Sequence, residues 1–372
     1  MKLVVISSAP IINQDKKLAL YAPYEKEMQL WAKYTNSIDF CCPIWNEDKK
    51  LLIAPISFPV DTIFKLKEFD VTSFFNLLKA IPAIFFSFFI IFKAMLKADH
   101  IHLRCPGNMG LIASIVQIFF PFKKKTAKYA GNWDPKAKQP FTYKLQRWIL
   151  SNTILTHNMQ VLVYGNWPNQ TKNIKPFFTA TYFESDKVAT QSRTFDGTIE
   201  FLFVGTLSKG KQPLYAVQLV NELIKNGKNV QLNLFGEGEL RDTITAYIKE
   251  HSLQNFIFLN GNQSKETVLE AYKKSHFLLL PSKSEGWPKV VAEAMFWGCV
   301  PVVNPVSCVP FMLDYGKRGI ILSENLLNDV LKINSVIDDN KSYQAMSLES
   351  QLWSQKYTLD FFEEEIKKLI NQ

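Results

Sequence analysis

The stretch 282–301 constrains this chain more than any other. An apolar run over 276–280 ends at Pro281, and a helix-period segment follows, SEGWPKVVAEAMFWG over 284–298. After Gly298 comes a second apolar run, 300–303. Strand, loop, helix and strand in that order is the building unit of a parallel α/β sheet. Val290, Val291, Ala294, Met295 and Trp297 share the helical period and can face a sheet. Pro288 suits the first turn of that helix and Gly298 its C-terminal stop. Glu285 then sits in the loop before the helix and Glu293 inside it. In parallel sheets, ligands collect beyond the carboxyl ends of the strands, where this loop lies. The amides of Lys289 and Val290 open the helix, and a helix N-terminus is a natural seat for phosphate. A plainer reading of Glu293 is an ion pair with Lys289, four residues back.

Upstream, the same alternation recurs. Strands are predicted over 200–204, 230–235 and 256–259, with helices over 213–226, 240–251 and from Ser264 to Lys274, and a last strand over 319–322. The loops between them carry Gly205, Thr206 and Lys211, then Gly236-Glu237-Gly238, then Asn260-Gly261-Asn262. Glycine there lets a ligand or another backbone approach closely. The polar stretch 166–196 reads as a linker. It divides the 372 residues into an N-terminal domain over 1–180 and a C-terminal domain over 197–350, with a tail helix over 351–372.

The spacing of Glu285, seven residues, Glu293, then Ala294-Met295, Gly298 and Pro301-Val302 resembles the nucleotide-sugar site of family 4 glycosyltransferases. The resemblance implies a GT-B fold, with two Rossmann-like domains facing each other across a cleft and a C-terminal helix crossing back to the first. It also implies transfer with retention. Glu285, the catalytic candidate, would then sit by the donor sugar and position it, and Glu293 would bind the ribose hydroxyls. Gly205 and Lys211 resemble a Gly-Arg…Lys-Gly loop that holds the donor diphosphate. Thr206 stands where that arginine is usual and brings a hydroxyl without charge. Gly236 and Gly261 fall where the family brings backbone to the nucleotide. The donor-binding set is therefore Gly205, Thr206, Lys211, Gly236, Gly261, Lys289, Val290 and Glu293. The donor that the resemblance implies is a UDP- or GDP-linked sugar, with no further cofactor and no metal expected.

The N-terminal half matches only in its pattern of elements: a strand over 2–7, a helix over 24–34 and a strand over 37–42. Ser7-Ser8-Ala9-Pro10 replaces the glycine pair usual in the family. Arg104 falls at the end of a strand, and Asn132 and Asp134 follow another beside Gly131. These three are the acceptor-side candidates, although the family often places a histidine near 132 and this chain has none there. Their plain readings are a surface arginine and an ordinary turn. His100 and His102 share a strand face without a third ligand, so they read as structural.

Two segments point elsewhere. Between Lys79 and Lys93 the chain reads AIPAIFFSFFIIF, shorter than the ~20 apolar residues of a spanning helix and containing Pro82. Over 118–125 it reads IFFPFKKK. Apolar residues beside a basic cluster suit peripheral contact with anionic lipid; a core helix and a solvated turn are the alternative. A net charge of +9 agrees with a phosphorylated or membrane partner. No recognition-helix, RNP-type or zinc-finger pattern supports nucleic acid. The first residues hold too short an apolar run for a signal peptide, and five scattered cysteines fit a reducing cytoplasm.

The expected function is transfer of a sugar from a nucleotide-diphosphate donor to a glycan or lipid-linked acceptor. The expected setting is assembly of surface polysaccharide or glycolipid, in the cytoplasm or on the inner face of its membrane. The rivals are a GT-B sugar-nucleotide epimerase or phosphorylase, and a non-catalytic protein that binds sugar nucleotide.

Overall fold

The computed structural model describes residues 1–372 apart from 15, 16, 48, 50, 190, 191 and 372. The chain forms two units, Met1–Phe177 with Glu363–Gln372, and Phe178–Phe362.

The first unit is built on a seven-stranded parallel sheet. Its order is Ile174–Phe177, Met159–Tyr164, Lys124–Tyr129, His100–Cys105, Lys2–Ile6, Ser37–Cys42 and Val60–Lys65. Leu3 to Ile6 are wholly buried, as a central strand covered on both faces must be. The chain leaves Lys2–Ile6 first toward one edge and later toward the other. Right-handed crossovers therefore place helix Ala22–Ala32 on one face, and helices Phe74–Lys97, Asn108–Val116 and Phe141–Ser151 on the opposite face. A small mixed sheet of Ile44–Trp45, Ile11–Gln14, Lys17–Tyr21 and Ile53–Pro55 completes the unit.

Helix Phe74–Lys97 corrects the sequence reading. It runs unbroken for 24 residues through Pro82 and is long and apolar enough to cross a bilayer by length and composition. Proline removes one intrahelical bond. The helix persists because Ser73 caps its start, accepting from Asn76 N at 3.2 Å, and because Ala80, Ser87, Ile91, Ala94 and Met95 form a buried stripe against the sheet.

The second unit carries a six-stranded parallel sheet. Its order is Ile257–Leu259, Val230–Phe235, Ile199–Val204, Phe277–Leu280, Val300–Val303 and Ile320–Ile321. Helices Pro213–Lys225, Arg241–Glu250, Lys265–Lys274 and Lys289–Phe296 connect these strands. Each strand and helix expected over 200–322 is present within two or three residues of its predicted ends, but the tail expected as one helix over 351–372 is divided between two, Asn340–Ser354 and Leu359–Asn371, because the chain turns at 355–358. Helix Lys289–Phe296 ends as its sequence dictates. Gly298 takes φ +70°, and its N–H donates to Met295 O at 3.0 Å. Pro288 is the N-cap rather than a residue of the first turn.

Arg193 fixes the C-terminal ends of two of these helices. Its guanidinium donates to Lys273 O at 2.8 Å and to Trp297 O and Gly298 O, each at 2.7 Å. A cation at helix C-termini complements the macrodipole. The last helix, Leu359–Asn371, begins in the second unit, and its residues from Glu363 on group with the first.

Candidate functional site

The site lies in the second unit, along the carboxyl edge of its sheet. Three loops there are stitched together through backbone. Gly205 N donates to Phe235 O at 2.9 Å, Leu207 N to Glu237 O at 3.0 Å, and Gly236 N to Gly261 O at 2.8 Å. The glycines are required for this approach. Gly236 has φ +143°, and a Cβ on it would lie 1.9 Å from Gly205 O. No side chain can enter that gap.

Lys211 reaches across to the central loop. Its Nζ lies 2.5 Å from Glu285 Oε1, and the loops are also joined by Lys283 N donating to Gly210 O at 2.9 Å. The pair is mostly buried on the Glu285 side, 10 % exposed against 30 % for Lys211. Partial burial strengthens such an interaction relative to a surface ion pair. Thr206 is exposed in the same loop as Lys211. The next element, helix Lys289–Phe296, opens shortly after Glu285 in the chain and takes no side-chain cap from its N-cap residue Pro288; a helix N-terminus carries partial positive charge.

Glu293 sits one turn into that helix and is half-buried. Its carboxylate accepts from Thr181 Oγ1 at 2.7 Å on one oxygen and from the Tyr272 hydroxyl at 3.1 Å on the other. Tyr272 is wholly buried. Burial, reinforced by the Glu293 charge, pushes its hydroxyl well above the ordinary tyrosine range, so it stays a donor. Neither partner carried a local signal, because 21 and 112 residues separate them from Glu293.

Asn304 was also missed. It is buried directly after strand Val300–Val303, and its amide donates to Pro281 O at 3.0 Å and Ser282 O at 3.3 Å. Ser307 Oγ and Cys308 Sγ each reach Gly286 O at 3.1 Å. Together these bonds hold the loop that carries Glu285. The position of Asn304 at a strand's carboxyl end was the one clue available.

The acceptor-side candidates lie in the first unit, and the structure gives each a local task. Arg104 Nη1 donates to Glu27 Oε1 at 2.9 Å and its guanidinium stacks 3.9 Å from the Tyr24 ring centroid. It is thus an interior ion-pair partner rather than a surface arginine. Lys128 binds the other Glu27 oxygen at 2.9 Å. Burial alone would raise the Glu27 carboxyl, but the two cations hold it down at about 2. Asn132 Oδ1 accepts from Asp134 N, and Asp134 Oδ1 from Lys136 N, each at 2.8 Å. These are consecutive Asx turns, the plain reading of that segment. His100 and His102 both bond Thr126 Oγ1, at 3.0 and 2.8 Å, in a structural role.

Two Rossmann-like units of parallel sheet, with a glycine-lined site at the carboxyl edge of the second, define the class: an α/β protein of GT-B architecture. Known proteins agree. The family model described as "Glycosyl transferases group 1" matches residues 185–353, a region that holds every donor-side residue named above. An uncharacterized glycosyltransferase of Haemophilus influenzae is 27% identical over 172 residues, 45% of this chain and 48% of the relative. A lipopolysaccharide 1,6-galactosyltransferase of Salmonella typhimurium is 28% identical over 149 residues, 39% and 41% of the two chains. The chain thus spans about half the length of the curated relatives it matches, or less.

Among solved structures, the lipopolysaccharide outer core galactosyltransferase WaaB superposes with a TM-score of 0.69 at 14% identity, covering 100% of this chain and 99% of that one. Anabaena Alr3699/HepE in complex with UDP and glucose gives 0.68 at 12%, with the same coverage. At such identity the likeness is one of fold.

Proposed function

We propose that this chain is a retaining glycosyltransferase of the family 4 type, moving a sugar from a UDP- or GDP-linked donor to a glycan or lipid-linked acceptor. The observation that carries the reading is the Lys211–Glu285 pair, 2.5 Å long, beside a helix start without a side-chain cap. A donor diphosphate offers negative charge to Lys211 and to the helix amides, and its sugar offers hydroxyls to Glu285. Charge that develops on the leaving diphosphate meets donors already in place. Lysine and helix dipole then supply the cationic environment, and the transfer needs no metal.

Glu293 suits a ribose clamp. It already accepts one hydroxyl on each oxygen, and an ionised carboxylate has further acceptor positions for two more. The second unit holds the donor and the first the acceptor. The setting is assembly of surface polysaccharide or glycolipid at the cytoplasmic side of a membrane. In support, similar proteins are named as a lipopolysaccharide 1,6-galactosyltransferase, a putative colanic acid biosynthesis glycosyltransferase and a poly(glycerol-phosphate) alpha-glucosyltransferase.

The test is thermal shift against UDP-, GDP-, CMP- and ADP-sugars, for the natural chain and for Glu293→Ala. A shift with one base, lost in the variant, supports the clamp and identifies the donor class. An equal shift in both proteins removes Glu293 from the site. Thr206, exposed and uncharged, favours a second reading, a binder without transfer; donor binding with no product from any acceptor would select it.

A further inference from the structure

The first unit has an apolar face that its own core does not use. Along helix Phe74–Lys97 the side chains of Phe74, Phe75, Leu78, Ile81, Phe85 and Phe89 are all exposed, Phe85 at 61 %. They occupy the side opposite the buried stripe of Ile91, Ala94 and Met95. The face continues onto the next segment through touching rings. Phe85 meets Phe89 with centroids 4.7 Å apart, Phe89 meets Phe88 at 5.6 Å, and Phe88 meets Phe119 at 6.1 Å. Phe119 is 60 % and Phe122 88 % exposed. A contiguous patch of this kind marks an interaction site.

Charge identifies the occupant. Helix Phe74–Lys97 contains no acidic residue, and neither does the segment 118–125. Lys79, Lys93 and Lys97 follow one flank of the helix, since their spacings approach whole turns at ~3.6 residues per turn. On that flank a cleft of about 890 Å³ opens, where Lys65, Lys67 and Lys79 stand beside Phe86 and Ile90. Glu68 and Asp70 also line it. Glu68 accepts from Trp45 Nε1 at 2.8 Å, and Asp70 from Thr72 N at 2.8 Å and Asn76 Nδ2 at 2.6 Å.

The run 123–125 corrects the sequence reading of three lysines on lipid. Lys123 Nζ donates to Leu96 O and Ala98 O at 2.7 and 2.5 Å, and buried Lys125 Nζ to Phe120 O at 2.9 Å. Two of the three therefore cap helix ends, and only Lys124 is exposed.

We infer that this face seats the protein on an anionic bilayer, with helix Phe74–Lys97 lying flat at the lipid interface. Aromatic rings enter the acyl boundary and the lysine flank meets lipid phosphate. The buried stripe keeps the helix on its own sheet, so it does not cross. A two-fold contact with a second copy would set the cationic strip against itself. The inference rests on the first unit alone and is independent of the proposed transfer chemistry.

The experiment is co-sedimentation of the full chain with vesicles of phosphatidylcholine, alone or mixed with phosphatidylglycerol. Pelleting is expected with the anionic vesicles and is weakened by salt. Lys79→Gln/Lys93→Gln/Lys97→Gln should lower the affinity roughly fivefold per lysine, on the order of a hundredfold in all. Phe85→Ser/Phe89→Ser should abolish binding, with an unchanged melting temperature because both rings are exposed. No pelleting at low salt overturns the inference. So does pelleting indifferent to both variants, or a concentration-dependent dimer that the Phe85/Phe89 variant dissolves while vesicles bind neither protein.

Discussion

At the carboxyl ends of its central strands the first unit closes the loops with side chains, where the second presents backbone. In the first, Ser7 Oγ accepts from Ala9 N at 2.9 Å, and Ser8 Oγ accepts from Met109 N at 3.3 Å, at the start of helix Asn108–Val116. Gly107 makes room for that serine; a Cβ there would lie 2.6 Å from Ser8 Oγ. Arg104 and Lys128 spend their charge on Glu27. In the second unit, Gly205, Gly236 and Gly261 meet through main chain, and helix Lys289–Phe296 starts without a side-chain cap. Both units share parallel topology and a switch in strand order. What differs is the closure of the loops, side chains in the first unit and main chain between glycines in the second, while each unit pairs its cations with a glutamate, Glu27 or Glu285. Topology supplies the location and the loops decide its use.

The largest test of that contrast is Gly236→Val. Its Cβ would enter the 1.9 Å gap at Gly205 O with φ at +143°, and neither backbone can yield cheaply. A destabilisation of at least about 3 kcal/mol is expected, together with loss of any donor-induced thermal shift. An unchanged denaturation midpoint would show that the loops are looser than this contact implies. Next, Lys211→Ala should lower turnover by about 10²-fold, in line with removal of one preorganised donor. Glu285→Gln should leave donor binding in place and reduce kcat; nearly full turnover would remove its positioning role.

A third test uses acid. Burial, aided by the Lys124 charge, lowers His100 to about 4, below its ordinary 6.5, and Glu27 is held at about 2, below 4.5. For both groups the unfolded chain binds more protons as pH falls, so stability decreases on acidification. The His100 contribution is complete above pH 6.5 and is lost as pH falls through about 4. The Glu27 contribution is complete above 4.5 and is lost through about 2. Burial also lowers His276 in the second unit, but there the hydrogen bond to Thr194 O, 3.0 Å long, opposes the shift. Amides of strand His100–Cys105 should therefore lose hydrogen-exchange protection at higher pH than those of Phe277–Leu280. Loss of both together would dissolve the contrast. The smallest effect is Ser8→Ala, worth about 1 kcal/mol as a lost cap, with no change in donor binding.

Local order in the second unit was written in the chain. Its strands and helices follow from apolar periodicity, Ser264 caps its helix by accepting from Thr267 N at 3.2 Å, and Gly298 stops the next in the left-handed region. The spacing of Glu285 and Glu293 also survives folding unchanged, because loop and helix are adjacent in sequence. Tertiary structure decided the rest. It brings Lys211 onto Glu285 across 74 residues, and Thr181 and Tyr272 onto Glu293. It turned Arg104 inward to Glu27, used Lys123 and Lys125 as helix caps, and left the phenylalanines of helix Phe74–Lys97 exposed. Periodicity and capping act within a few residues and can be read from them. Partners across the sheet are fixed only when crossovers set which strands are neighbours, and an apolar helix reveals its uncovered side only once the core has chosen the other.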